Sequence, residues 1–174
     1  MQTEIPVVGF AAFSGTGKTT LLEQILPILS RGGVRVGMIK HAHHQFDIDT
    51  PGKDSYRLRK AGAIQTLIAS SQRWALMTEN PVEDVPELDE LVTHLDHRHL
   101  DLILVEGFKQ APIPKIELHR PTLGHPLLFP TDNHIVAVAT DAPLEKETEL
   151  PVLDLNQPEE IANFILVNYL EHDE

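Results

Sequence analysis

The strongest constraint in the chain is a phosphate-loop pattern near its N-terminus. Residues 10–26 read FAAFSGTGKTTLLEQIL, in which an apolar run breaks at a glycine-rich turn and then resumes at helical spacing. Residues 12–19 match the pattern Gly-x-x-x-x-Gly-Lys-[Ser/Thr] except at the first position, where Ala12 is also small. A turn of this kind between a strand and a helix lets backbone amides approach a phosphate closely. The sequence therefore predicts a nucleotide-binding loop.

Each residue of this loop has an expected role. Gly15 and Gly17 supply unusual backbone angles and leave no Cβ in the way, so that amides from Gly15 through Thr16 to Thr19 converge on the β-phosphate. Lys18 reaches the β- and γ-phosphates, and we expect it to face solvent without a ligand. The Thr19 hydroxyl is expected to bind Mg²⁺.

The rest of the chain alternates strand-like and helix-like segments. Strands are predicted at 6–13, 34–40, 65–70, 73–78, 100–107, 114–120, 134–141 and 151–156, and helices at 18–31, 53–63, 86–97 and 157–170. The alternation predicts an α/β, P-loop NTPase-like fold, with a mostly parallel sheet flanked by helices. We expect one domain over residues 1–174, with a β-hairpin-like excursion at 108–130. Asn156 is expected to cap the last helix, with Pro158 in its first turn.

A second acidic residue is expected at the end of a neighbouring strand. LDLILVEG, residues 100–107, is the most strand-like stretch and places Asp101 at its start and Glu106 at its end. Ligands of open α/β sheets bind beyond the carboxyl ends of strands, which favours Glu106, and Gly107 permits close approach. We therefore predict that Thr19 and Glu106 hold Mg²⁺, the alternative being that Glu106 is a solvated strand-end carboxylate.

Two weaker patterns bear on the nucleotide. Asp49-Thr50-Pro51-Gly52 has the Asp-x-x-Gly form of a γ-phosphate-sensing switch in GTPases, a form that ordinary turns also take. Asp141 ends a late strand, where GTPases place a carboxylate that accepts hydrogen bonds from guanine N1 and N2. No Asn-Lys-x-Asp is present, and an Asp that begins the turn before Pro143 explains the residue equally well.

A histidine cluster follows the second predicted strand. His41, His43 and His44 could bind a transition metal, or they could position a substrate or partner as neutral imidazoles. The chain has no cysteine, which excludes disulfides, thiol nucleophiles and cysteine-based metal sites. No closed four-ligand set is evident.

The charge balance restricts the partners. The formal net charge is −12, with 26 acidic and 14 basic residues and no basic stripe, which argues against nucleic acid and favours a small metal-chelated nucleotide. No apolar run is long enough to span a bilayer, and Met1-Gln2-Thr3-Glu4 lacks the positive region of a signal peptide. We expect a cytoplasmic protein that does not bind membranes.

Six segments of the chain form a recognisable set: FAAFSGTGKTTLL, GMIKHAHH, DTPGKDSYRLRKAGA, SSQRWALMTE, LDLILVEGFK and HIVAVATD. Together they resemble the MobB family, accessory proteins of molybdopterin-guanine dinucleotide biosynthesis. The resemblance implies a homodimeric GTP-binding protein with weak GTPase activity that assists the guanylyltransferase MobA. Molybdopterin-containing proteins are further partners that it suggests. It also implies that residues Gly15 to Thr20 hold the GTP phosphates, with Thr19 and Glu106 near Mg²⁺.

The residues alone indicate a slow enzyme at most. No water-positioning glutamine lies beside Asp49-x-x-Gly52, and Arg57 and Arg59 point to different faces of their helix. Two alternatives stay open: a metal-inserting GTPase chaperone that uses the histidine cluster, and a small-molecule kinase, for which 108–130 offers only Arg120 as a lid cation. We expect the dimer contact in 114–129 and favour a core position over an interface position for Trp74.

Overall fold

The structure, a computed structural model, describes residues 5–42, 46–80 and 85–170. The chain divides into two compact units, one of residues 1–41 and 87–174 and one of residues 42–86. In chain order the strands and helices are β1 (Val7–Ala11), α1 (Lys18–Arg31), β2 (Val36–Lys40), α2 (Asp54–Lys60), β3 (Gln65–Ala69), β4 (Trp74–Thr78), α3 (Leu88–Thr93), β5 (Leu102–Glu106), β6 (Lys115–His119), β7 (Ile135–Thr140), β8 (Val152–Asp154) and α4 (Pro158–Tyr169). Short 3₁₀ turns cover His97–His99 and Pro121–Leu123. The expectation of a single domain stays a prediction.

The first unit is built on a six-stranded sheet in which every strand pair is parallel, in the order β2-β5-β1-β6-β7-β8. The central strands β1 and β5 are buried along their whole length, which explains their nearly continuous apolar sequences. Leu102 and Leu104 pack on the side of α1 and α4, whereas Ile103 and Val105 pack on the side of α3. The predicted α/β fold, with helices on both faces of a parallel sheet, is confirmed.

The helices of this unit bury regular apolar stripes. Helix α1 spans the predicted residues, buries Leu21, Leu22, Ile25 and Leu29, and ends at Gly32. The expected cap of α4 is wrong by one residue, because the helix begins after Gln157, with Pro158 in its first turn. The backbone N–H of Asn156 instead donates to the Asp154 carboxylate (2.8 Å), which closes the turn before the helix.

The expected β excursion at 108–130 is wrong, because β6 is an interior strand paired with both β1 and β7. Its alternating sequence Lys115-Ile116-Glu117-Leu118-His119 is typical of a half-solvated strand, yet all five residues are buried. The Lys115 ammonium group donates to the carbonyl oxygens of Lys109 (2.9 Å) and Ala111 (2.8 Å) and pairs with Asp132. Internal polar partners therefore replace the solvent that the pattern suggested.

The second unit contains the additional hairpin, formed by the antiparallel strands β3 and β4, which the sequence predicted as short strands. The strand register pairs Leu67 with Leu76 and Ala69 with Trp74, so Leu67, Trp74 and Leu76 share one face. All three side chains are exposed, and Trp74 retains 64% of its surface, so the expectation of a core tryptophan is wrong. No helix in the described ranges is long and apolar enough to cross a membrane.

Candidate functional site

The predicted phosphate loop connects β1 to α1. Gly15 and Gly17 adopt φ angles of 82° and 99°, the left-handed region that favours glycine. The Thr16 hydroxyl donates to the carbonyl oxygen of Phe13 (2.9 Å), which closes the turn. The Leu21 amide is the first to bond back into the helix, to Gly17 (2.9 Å), so the amides of residues 18–20 are without partners inside the helix. This arrangement suits an anion at the helix N-terminus.

Lys18 is more enclosed than the sequence led us to expect. Its side chain is only 14% exposed, its ammonium nitrogen lies 3.8 Å from Glu106 Oε1, and it donates to the carbonyl oxygen of Ala12 (3.4 Å). Burial lowers the pKa of Lys18, although the Glu106 charge opposes that effect. The expectation of a solvent-facing lysine is therefore wrong, and the enclosed cation would gain from a second anion beside it.

Glu106 is the last residue of β5, as predicted, and it is 8% exposed. In the strand register it lies beside Phe10 of β1 and Lys40 of β2. The Lys40 ammonium lies 3.2 Å from Glu106 Oε2, so the carboxylate sits between two lysines. The sequence did not assign a site role to Lys40, because its position beside Glu106 depends on β2 being the neighbour of β5.

Asp101, the rejected alternative, lies just before the opposite end of β5. Its carboxylate accepts hydrogen bonds from the backbone amide (2.8 Å) and the guanidinium (2.6 Å) of Arg35. These hydrogen bonds hold the pKa of Asp101 at about 2. Asp101 thus joins the starts of two strands and lies away from the carboxyl edge.

The donor chemistry at the loop fits Mg²⁺. Thr19 lies exposed in the first turn of α1 and offers a hydroxyl, and Glu106 offers a carboxylate. Mg²⁺ in nucleotide sites is commonly held by one or two protein oxygens together with phosphates and water. Within the described residues, no group of three or more His, Asp or Glu side chains could hold a metal ion by itself.

The histidine cluster is described only at His41. Its backbone amide donates to the carbonyl oxygen of Glu106 (2.9 Å), and its ring centroid lies 5.4 Å from that of Phe108. Gly107 has a φ angle of 98°, and a Cβ at this position would lie 2.8 Å from His41 Cβ, so close approach does require glycine here. His43 and His44 lie outside the described residues, and the metal-binding interpretation of the cluster stays a prediction.

Asp49 and Gly52 belong to the second unit. Asp49 Oδ1 accepts hydrogen bonds from the Thr50 amide and the Ser55 hydroxyl, both at 2.9 Å, and Gly52 adopts a φ angle of 89°. The segment therefore forms a side-chain-stabilised turn before α2. Its predicted role in sensing a γ-phosphate stays a prediction.

Asp141 follows β7 and makes a contact that the sequence did not reveal. Its Oδ2 accepts a hydrogen bond from Arg120, whose Nε also donates to the carbonyl oxygen of Thr16 in the phosphate loop (2.9 Å). Arg120 is 104 residues from Thr16 in sequence, and only the strand order brings the two together. The guanine-contact role of Asp141 stays a prediction.

A cleft of about 640 Å³ opens beyond the ends of β6 and β7, and His119, His125, Glu145, Lys146 and three prolines contribute to its lining. The His125 ring stacks on Phe13 of the phosphate loop at a centroid distance of 4.6 Å. The cleft thus borders the loop, and its size is in the range of small-molecule sites.

Four features of this chain define the P-loop type of α/β fold. They are a parallel sheet, a glycine-rich loop between its first strand and first helix, an enclosed lysine in that loop and a carboxylate at the end of the neighbouring strand. A family model described as molybdopterin guanine dinucleotide synthesis protein B matches residues 7–141. The chain belongs to this family, MobB, and is an adapter protein of molybdopterin guanine dinucleotide biosynthesis.

Relatives from several organisms agree with this assignment. The molybdopterin-guanine dinucleotide biosynthesis adapter protein of Escherichia coli K12 is 54% identical over 166 residues, covering 95% of this chain and 94% of its own length. The protein of the same name from Haemophilus influenzae is 47% identical over 172 residues, with 99% and 93% coverage. The crystal structure of Bacillus subtilis MobB superposes with a TM-score of 0.71 at 27% identity, covering 97% of this chain and 100% of that one.

Proposed function

We propose that the protein is a GTP-binding adapter with slow GTPase activity of its own. The observation that carries the proposal is the enclosed Lys18 beside Glu106, at the start of a helix whose first amides are free of helical partners. Arrangements of this kind bind the phosphates of nucleotides. Membership of an adapter family supports binding, rather than rapid turnover, as the main role.

In this proposal the amides of residues 15–20 and the Lys18 ammonium hold the phosphates. Thr19 and Glu106 would hold Mg²⁺, which supplies positive charge against the phosphate oxygens. Lys40 keeps Glu106 paired when Lys18 turns to a phosphate. Asp49 and Gly52 are proposed to respond to the γ-phosphate.

Asp141 is proposed to read guanine. Its Oδ1 is buried and has no hydrogen-bond partner among the described residues, and it could accept from a ring N–H. Adenine presents an acceptor at N1 and would leave that oxygen unpaired, which costs about 1–3 kcal/mol. We therefore expect a preference for GTP over ATP.

The pairing of Arg59 on α2 argues against its use as an arginine finger, which supports slow turnover. Arg59 is 9% exposed and pairs with Asp47 (2.6 Å) and Glu79 (2.9 Å), so it is committed within its own unit. A P-loop GTPase without an arginine finger hydrolyses GTP slowly.

The hairpin face formed by Leu67, Trp74 and Leu76 supports a homodimer. The other members of this face are Gln65, Ala69 and Thr78, so the surface is uncharged. Two copies of a chain with net charge −12 repel one another, and a neutral apolar face is where they can meet at the least electrostatic cost. We propose that this face binds a second copy.

A MobA-like guanylyltransferase is the proposed partner in the cytoplasm, and the adapter role of the family supports it. The test is to add the protein to a guanylyltransferase assay with molybdopterin and limiting GTP, where the product yield should rise. An unchanged yield, together with rapid GTP hydrolysis by this chain alone, would mean that it is an enzyme in its own right.

Nucleotide binding is tested directly by titration calorimetry with GTP and ATP in the presence of Mg²⁺. Tight, Mg²⁺-dependent binding with GTP preferred supports the proposal, and equal affinities would remove guanine recognition from it.

A further inference from the structure

Arg120 lies between two parts of the proposed nucleotide site. The sheet order places β6 between β1 and β7, and parallel strands end at the same edge. The residue after β6 therefore lies between the phosphate loop, which follows β1, and Asp141, which follows β7. Arg120 is that residue.

Its guanidinium group contacts both neighbours at once. Nε donates to the carbonyl oxygen of Thr16 (2.9 Å), and Nη1 donates to Asp141 Oδ2. The side chains of Arg120 and Asp141 are 30% and 19% exposed, so solvent screens the pair only in part. Because a guanidinium is a rigid planar fork, the two contacts fix the loop carbonyl and the carboxylate relative to each other.

The arrangement leaves the second carboxylate oxygen of Asp141 without a hydrogen-bond partner among the described residues. This oxygen, Oδ1, is buried. A buried, unpaired carboxylate oxygen is costly, and a donor from a bound ligand would satisfy it. Arg120 Nη2 lies 3.8 Å from the position that a Cβ on Gly17 would occupy, which places the guanidinium against the second glycine of the loop.

We propose that Arg120 is a positioning residue that links triphosphate binding to base selectivity, by holding the phosphate loop and Asp141 in one fixed arrangement. The inference rests on the proposed function, since it takes GTP as the ligand and Asp141 as the base contact. Without the guanidinium, the Asp141 carboxylate is free to rotate and the Thr16 carbonyl loses its partner. Binding of the base is then no longer coupled to binding of the phosphates.

The test is calorimetry in Mg²⁺ with GTP, ATP and inorganic tripolyphosphate, which has no base. Arg120→Ala should weaken GTP binding by about tenfold or more, reduce the preference for GTP over ATP, and affect tripolyphosphate much less. Arg120→Lys should give an intermediate preference, because an ammonium group cannot reproduce the planar fork. Arg98→Ala is the matched control, since Arg98 also pairs with an aspartate, Asp96, but is 83% exposed and precedes the start of β5.

A double substitution tests the coupling. If Arg120 acts through Asp141, Arg120→Ala combined with Asp141→Ala should reduce the GTP preference no further than Asp141→Ala alone. An unchanged preference in Arg120→Ala, an equal loss for all three ligands, or strictly additive effects would overturn the proposal. Absence of GTP binding by the wild-type protein would instead refute the proposed function, so the two failures are distinguishable. Thermal unfolding checks the fold of each variant, and Arg120→Lys decides the matter if Arg120→Ala does not fold.

Discussion

At the scale of single residues, Lys18 places an enclosed positive charge in the loop that is proposed to bind phosphates. The ammonium group is mostly buried, and burial lowers its pKa, so the folded protein bears a cost for keeping it charged. A phosphate beside it would remove that cost. The identity of this lysine was predictable from the loop pattern, whereas its burial was not, because burial depends on Glu106 arriving from another strand.

Substitution of Lys18 should separate binding from stability. Lys18→Ala is expected to weaken Mg-GTP binding by at least tenfold, since a hydrogen bond to a charged group contributes about 1.5–3 kcal/mol. The free energy of unfolding without ligand should not fall, because the enclosed cation is already disfavoured by burial. Calorimetry and denaturant unfolding measure the two effects, with the exposed Lys60→Ala as the control. Normal GTP affinity in Lys18→Ala would refute the phosphate-loop assignment.

Glu106 can be tested against a carboxylate near the other end of the same strand. Glu106→Gln should lower the Mg²⁺-dependent affinity for GTP by about tenfold, because the carboxylate that is proposed to bind Mg²⁺ loses its charge. Affinity without metal should not fall, since Lys18 and Lys40 lose a competing anion. Asp101→Asn is the matched variant and should leave both affinities at the wild-type level. If Asp101→Asn gave the Mg²⁺ phenotype instead, the assignment of the site to this edge of the sheet would be wrong.

At the scale of elements, strand β6 shows where sequence patterns mislead. Long apolar strands such as β5, and the stripe on α1, were predictable because their burial is visible in the residue types. Lys115, Glu117 and His119 alternate with apolar residues as in a solvated strand, and nothing local reveals that they are buried. The placement of Arg120 after this strand was equally hidden, since it depends on which strands are neighbours.

The burial of Glu117 predicts how the free energy of unfolding depends on pH. It accepts hydrogen bonds from the amides of Leu128 (2.7 Å) and Phe129 (2.8 Å), yet burial raises its pKa above the ordinary value of 4.5. The folded state therefore keeps the Glu117 proton to a higher pH than the unfolded state does. Glu117 therefore contributes fully to the free energy of unfolding below the pKa that it has in the unfolded state. This contribution is lost as the pH rises through the higher pKa that it has in the folded state.

The measurement is the free energy of unfolding of wild type and Glu117→Gln from about pH 4 to about pH 7. Stability of the wild type relative to the variant should fall as pH rises across this window. The exposed Glu23→Gln is the control and should parallel the wild type. A wild-type advantage that grows with pH would show that hydrogen bonding to the carboxylate outweighs its burial.

At the scale of the whole molecule, the proposed homodimer depends on the apolar hairpin face and on the acidic net charge. The sequence indicated a dimer through family resemblance and through segments that the phosphate site does not need, and it placed the contact in 114–129 because a β excursion there would have exposed an edge. That segment instead supplies an interior strand, and the exposed apolar face lies on β3 and β4. The register that groups Leu67, Trp74 and Leu76 on one face could not be known before the turn between the strands was known.

Light scattering at micromolar concentration should report a dimer for the wild type and a monomer for Leu67→Glu. Each copy would lose about 1.5–3 kcal/mol of leucine burial and would add a repelling charge. Leu123 is also exposed and lies in the segment that the sequence favoured, so Leu123→Glu is the matched comparison. It should remain dimeric, because Leu123 lies outside the hairpin face. A monomeric wild type would contradict the dimer, and a monomer only in Leu123→Glu would return the contact to 114–129.

The pairing of β2 with β5 has a consequence for how the chain folds. Residues 42–86 and helix α3 lie between these two strands in sequence. The pairing of β2 with β5 therefore closes a long loop, and the chain entropy lost in that closure opposes the step. Lys40 and Glu106 are register partners in that pairing, so they meet only when the loop has closed. We therefore expect the ion pair of Lys40 and Glu106 to form late in folding. Substitutions at Lys40 should accelerate unfolding and leave the folding rate nearly unchanged.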